Sequence, residues 1–159
     1  MYPASILIVA CAIVYGPVFG SALPLSKRAN NGVYLANCVT RGTMWYSEMS
    51  YYNNARSGSQ NGQLPDGSAF PSQTDGVPNL VTWEGQRHCG TYPDTGATFC
   101  STIANGAQSL NSGEFAGSGS NSFGATFSCY KDNGRQLYNV PEGSQLQHTC
   151  YSIYYCFQN

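Results

Sequence analysis

Apolar and polar residues alternate with a period of about two over much of the chain, which is the pattern of half-buried β-strands. Val33-Tyr34-Leu35 opens a first strand. Trp45 to Tyr52 is a second; it puts Trp45, Met49 and Tyr51 on one face, with Ser47 interrupting the apolar set. The tract from Asn53 to Pro78, which includes Asn61-Gly62-Gln63-Leu64-Pro65-Asp66-Gly67, is rich in Gly, Ser, Asn and Asp and reads as a long loop. Leu80 to Glu84 reads as a third strand. His88 to Tyr92 and Ala97 to Ser101 flank the turn-forming Pro93-Asp94-Thr95-Gly96 and predict a hairpin. Thr102 to Leu110 suits a short helix, favoured by Ala104, Ala107 and Gln108 and opposed by Gly106. Gly113 to Ser122 reads as a Gly/Ser-rich loop. Phe123 to Lys131, Gln136 to Val140 and Thr149 to Phe157 are the last strands, and Asp132-Asn133-Gly134 predicts a tight hairpin between the first two of them. The pattern therefore predicts one all-β domain of about six to eight strands, a sandwich or barrel with at most one short helix.

The amino terminus breaks this pattern. Ile6 to Val14 is an almost unbroken apolar run. It is shorter than the ~20 residues a bilayer span needs, and of the length expected for the apolar part of a secretory signal. Gly20-Ser21-Ala22 supplies the small residues of a cleavage site, so residues 1–22 read as a signal peptide, although no Lys or Arg precedes the apolar run. Residues 23–28 read as a short propeptide ending in the dibasic pair Lys27-Arg28. Cleavage there leaves Ala29 to Asn159, 131 residues with five basic and eight acidic side chains, a charge of −3. The expected product is secreted and extracellular, with no membrane span.

Composition narrows the function. Charged residues are 9% of the chain, against ~25% in ordinary soluble domains. That is too few for a coiled coil, and the weakly acidic balance offers no field for nucleic acid. Aromatics are 13%, with 12 tyrosines, a supply that suits sheet faces.

The chain has 7 cysteines, of which Cys11 lies in the signal. Cys38, Cys89, Cys100, Cys129, Cys150 and Cys156 remain, and an even set in a small secreted domain implies a disulfide framework with no free thiol. Six cysteines can pair in fifteen ways. Cys89 and Cys100 face each other if the hairpin around residues 93–96 forms. Cys150 and Cys156 share one predicted strand; their even spacing puts both on one face, ~20 Å apart. They cannot then pair with each other, and Cys38 and Cys129 are the leftover candidates. No Cys or His spacing matches a zinc site.

Candidate chemistry is sparse. His88 and His148 are the only two histidines, as a two-histidine nuclease would need. Glu84, Arg87 and His88 supply the residue types of a one-histidine ribonuclease, but neighbours on a strand alternate faces and diverge. The carboxylates Glu48, Asp66, Asp75, Glu84, Asp94, Glu114, Asp132 and Glu142 are scattered, most of them in turns, which argues against a glycosidase pair. No nucleophile-elbow, zinc-protease, phosphate-loop or dinucleotide motif occurs. Lectin-like stacking on Trp45, Trp83 or a tyrosine is a binding alternative, and Phe70 and Phe115 are candidate anchors in the two long loops. No catalytic, metal or cofactor site is assigned.

The tracts VYLANC (33–38), WYSEMSYYNN (45–54), WEG (83–85), ATFSCYKDNGRQLYNV (125–140) and CYSIYYC (150–156) follow the signal and Lys-Arg pair. Together they resemble small cysteine-containing secreted proteins of filamentous fungi, some of which are elicitors of the hypersensitive response in plants. That resemblance implies a virulence-associated effector or elicitor acting in the host apoplast without catalysis, a monomer whose partner is an apoplastic or cell-surface component of the plant. A secreted ribonuclease is the enzymatic alternative. Phe127 to Tyr155 is also similar to part of a β/γ-crystallin Greek key, a fold used by some killer toxins and secreted inhibitors. Gln147 and His148 stand where that motif carries its acidic pair, so the resemblance does not imply calcium binding.

Overall fold

The computed structural model describes residues 30–40, 43–58, 62–141 and 147–159. The tracts expected to be signal peptide and propeptide, with Lys27 and Arg28, and also Glu142, lie outside these residues. Eleven strand segments form, more than the six to eight expected: β1 (Gly32–Thr40), β2 (Met44–Tyr52), β3 (Gly67–Ala69), β4 (Gln73–Thr74), β5 (Val77–Pro78), β6 (Arg87–Thr91), β7 (Thr98–Ile103), β8 (Phe115–Asn121), β9 (Thr126–Lys131), β10 (Gln136–Val140) and β11 (His148–Gln158). One helical turn, α1 (Ala55–Gly58), follows β2, and a 3-10 turn spans Ala107–Ser109. No helix among the described residues is long and apolar enough to cross a membrane.

The main sheet runs β3-β2-β1-β11-β9-β8-β7-β6, with β10 also on β11; β4 and β5 form a separate ribbon. Each of these strand pairings is antiparallel. The two end strands come together: a Cβ on Gly90 of β6 would lie 3.0 Å from the Ala69 Cβ of β3. Glycine at this position lets the edges approach, and the sheet nearly closes into a barrel. Most neighbouring strands are close in sequence, except that the C-terminal β11 lies between β1 and β9.

The pleat divides the side chains of β1, β2 and β11 into two cores. One, inside the barrel, holds Val33, Leu35, Met49, Trp83, Phe99 and Tyr154 among others. The second, on the opposite face, holds Tyr34, Ala36, Cys38, Tyr52, Leu137, Tyr138 and Cys150. All six described cysteines are bridged, as Cys38–Cys150, Cys89–Cys100 and Cys129–Cys156. Each bridge joins residues directly opposite in the register of neighbouring strands. The expectation that Cys150 and Cys156 share a face is corrected. The ladder slips between Leu35 and Ala36, leaving Ile153 unpaired on β11. That bulge reverses the alternation, so Cys156 enters the barrel core and Cys150 the outer one.

Other expectations are corrected too. Asp132-Asn133-Gly134 is not a hairpin: β9 and β10 run in one direction along the same edge of β11, and residues 132–135 are a jog in that line. Asp132 N–H and Gly134 N–H still donate to Ile153 and Ser152 carbonyls, keeping the ladder together through the jog. Leu80 to Glu84 is not a strand; it makes a single bridge, Glu84 with Ile103, and lowers Trp83 into the barrel core. The predicted helix at Thr102 to Leu110 shrinks to the 3-10 turn, because Thr102 and Ile103 finish β7 and Gly106 takes φ 78°. Gly113 to Ser122 is mostly strand β8 rather than a loop. The tract 53–78 is broken by α1, β3, β4 and β5.

Candidate functional site

Beside the outer core lies a partly open cleft of about 330 Å³. β2 contributes Met44, Trp45, Tyr46 and Glu48, β10 contributes Tyr138, β11 contributes His148, and the 68–78 tract adds Ser68, Phe70, Val77 and Pro78. The walls are largely apolar, and Met44, Trp45 and Val77 are each about half exposed at the rim.

At the base stands Glu48, only 2% exposed. Its burial follows from the strand period. Tyr46, Glu48, Ser50 and Tyr52 occupy the face of β2 that packs on the outer core, opposite Cys38, Ala36, Tyr34 and Gly32 of β1. A carboxylate in such a place requires donors. Ser50 Oγ (2.6 Å), Tyr138 OH (2.7 Å) and Ser68 Oγ (2.9 Å) all donate to Glu48 Oε1. Among the described residues none donates to Oε2. His148 Nε2 lies 3.2 Å from the Tyr138 hydroxyl. That hydroxyl spends its hydrogen on Glu48, so His148 Nε2 carries the hydrogen of this contact. Burial, and then the negative charge of Glu48, push the phenols of Tyr46 and Tyr138 well above their ordinary range; the hydrogen bond to Glu48 raises Tyr138 further.

The candidate residues read from the sequence do not converge. His148 reaches this cleft. His88 packs edge-on against Trp83, ring centroids 5.7 Å apart, with Nε2 2.7 Å from the Thr82 carbonyl. The two histidines have no partner in common. Arg87 is on the opposite side of β6 from His88, pointing to solvent, and Glu84 accepts a hydrogen bond from Tyr154 OH. Trp83 is buried, its Nε1–H donating to Asn37 Oδ1, so it offers no stacking platform; Trp45 does, at 49% exposure. Phe70 lines the cleft, whereas Phe115 is exposed on β8 against Tyr130.

Of the scattered acids, Asp66 accepts from Asn53 N–H, Glu114 from Asn111, and Asp132 pairs with Arg135 at 3.3 Å. Glu48 lies on the strand expected for Trp45 to Tyr52, and it is buried there. The one signal in the sequence is its even spacing from Tyr46, Ser50 and Tyr52; its partner Tyr138 carried none. The carboxylate also lies close to Cys38 and Cys150, a trio with the spacing of a metal site. Both sulfurs belong to a disulfide, however, and provide no thiolate.

No family model matches the chain. No solved structure matches it either. Over 87 residues, 54% of this chain, it is 31% identical to Endochitinase 37 of Trichoderma harzianum. The match covers 23% of that enzyme, so the chain spans less than a quarter of its relative.

Proposed function

We propose that the mature chain is a secreted effector or elicitor that acts in the plant apoplast by being recognised, without catalysis, and that the rim of the Trp45 cleft is a contact surface. The observation that carries the reading is the content of the cleft. Among the described residues it holds one carboxylate, and its histidine meets that carboxylate through a tyrosine hydroxyl. Hydrolysis of a glycoside calls for a second carboxylate, and the ribonuclease alternative for a histidine working with a base or a second histidine. Recognition asks only for shape and exposed apolar anchors, which Met44, Trp45 and Val77 offer on a cross-linked sheet.

The test is leaf infiltration with the oxidised protein. Cell death is expected from wild type, His88→Ala and His148→Ala, weakened by Trp45→Ala, and absent after reduction and alkylation. Loss of cell death together with RNA cleavage in His148→Ala, with the fold intact, overturns the reading in favour of a ribonuclease.

A second reading is a non-catalytic module for chitin-type glycans. The partial identity with an endochitinase favours it, as does the half-exposed Trp45 ring. Retention on chitin beads that is lost in Trp45→Ala would support it; passage of the wild-type protein through the beads would exclude it.

A further inference from the structure

The geometry points to the Trp45 cleft as a binding site for a small organic cation, a protonated amine on an apolar or aromatic body, with Glu48 Oε2 as its counter-charge. This goes beyond effector perception and does not depend on it.

Three hydroxyls from three different strand segments converge on one oxygen of Glu48, at 2.6, 2.7 and 2.9 Å. Such convergence holds the carboxylate in one orientation. It also saturates one oxygen of the group, and among the described residues no donor reaches the other in a side chain that lines the cleft. A carboxylate oxygen that faces a cleft without a protein donor is free to accept one from a ligand, most strongly from a charged donor. Among the described residues, the cleft lining contains no Lys or Arg to neutralise the charge. His148 directs its Nε2 to the Tyr138 hydroxyl rather than to the carboxylate.

The walls complete the specification. Trp45, Tyr46, Phe70 and Tyr138 put π-systems in the walls of the cleft that Glu48 also lines. Aromatic faces attract cations, and a carboxylate in apolar surroundings binds a charged donor more strongly than a neutral one. The tyrosine hydroxyls remain protonated, since burial and Glu48 both raise their pKa, so among the described lining residues Glu48 alone contributes a negative charge. An alcohol would satisfy the hydrogen bond and leave that charge uncompensated. A volume of about 330 Å³ sits at the lower end for small-molecule sites and admits a body of one or two rings.

The test compares 2-phenylethylamine with its neutral isostere 2-phenylethanol, titrated into the oxidised, isotope-labelled protein near neutral pH and followed by amide chemical shifts. The amine is expected to move the resonances of Met44 to Glu48 and of Phe70, and to bind at least ten-fold more tightly than the alcohol. Glu48→Gln is expected to abolish that preference. Trp45→Ala, a change at the half-exposed rim, is expected to weaken both probes alike and retains the fold. Equal affinity for amine and alcohol in the wild-type protein, shifts confined to another surface, or no saturable shift up to the solubility of the amine would each overturn the proposal. The wild-type comparison stands even where Glu48→Gln fails to fold.

Discussion

Tyr138 of β10 donates its hydroxyl hydrogen to Glu48 Oε1 of β2 across 2.7 Å, joining residues ninety apart in sequence. β10 pairs only with β11 and lies off the main strand order, so this bond is a tie from β10 to the far side of β1. Its acceptor is a buried carboxylate, and hydrogen bonds to charged groups are worth about 1.5–3 kcal/mol. Tyr138→Phe should lower the unfolding free energy by about that amount, measured by urea denaturation. Tyr46 lines the same cleft and donates no hydrogen bond among the described residues, so Tyr46→Phe should change stability by less than about 0.5 kcal/mol. Equal losses in the two variants would refute the role given to the Tyr138 bond.

Glu48 also governs the response to alkali. Tyr46, Tyr52, Tyr92 and Tyr138 all have raised pKa values, by burial first and by the charge of Glu48 second. In the unfolded chain these phenols titrate near 10. The folded state therefore holds protons that the unfolded state releases, and the stability they contribute is complete below about pH 10 and lost as pH rises through the folded values. Urea midpoints should be level from about pH 7 to 9 and fall steeply above about 10. Glu48→Gln should make the alkaline fall shallower. A flat profile to about pH 11 would contradict this linkage.

How far the sequence foretold this structure depends on the length of the interaction concerned. Alternation and turn chemistry are local, and they located β1, β2, the hairpin of β6 and β7, and β11. The Cys89–Cys100 bridge followed from that hairpin. The bulge at Ile153 has no local mark, and without it the faces of Cys150 and Cys156 come out wrong. Glu48 was visible as a residue but not as a site, because Tyr138 and Ser68 reach it only through tertiary folding.

Strand β8 shows why Gly/Ser content misleads. FAGSGSN lacks the side chains that mark a strand, but its glycines are required by close packing. A Cβ on Gly117 would lie 2.2 Å from the Thr102 carbonyl oxygen, and one on Gly119 2.6 Å from the Phe99 ring. Gly117→Ala should destabilise strongly, since backbone must move, and Gly119→Ala should cost somewhat less, since a ring can shift. Overpacking of this kind costs typically about 1–3 kcal/mol. Thermal unfolding of the two variants checks the order, and wild-type stability in Gly117→Ala would show that β8 does not lie this close to β7.

The three disulfides should differ in both accessibility and weight. Cys38, Cys129, Cys150 and Cys156 are fully buried, whereas Cys89 faces solvent and Cys100 is partly exposed. Thiol attack needs access to sulfur, so limited reductant should open Cys89–Cys100 first. Mass spectrometry after alkylation should find the label on those two residues while the fold persists. The bridges span separations of 112, 27 and 11 residues for Cys38–Cys150, Cys129–Cys156 and Cys89–Cys100. Loop-closure entropy then makes Cys38–Cys150 the heaviest, at about 4–5 kcal/mol, against about 2–3 for Cys89–Cys100. Cys38 and Cys150 also sit beside Glu48 in the outer core, so their loss loosens the cleft as well as the sheet. If the protein acts as proposed, paired Cys→Ala replacements should spare its cell-death activity at 89/100 and abolish it at 38/150. Labelling of Cys38 and Cys150 before Cys89 and Cys100, or a greater stability loss from the 89/100 pair, would defeat the argument.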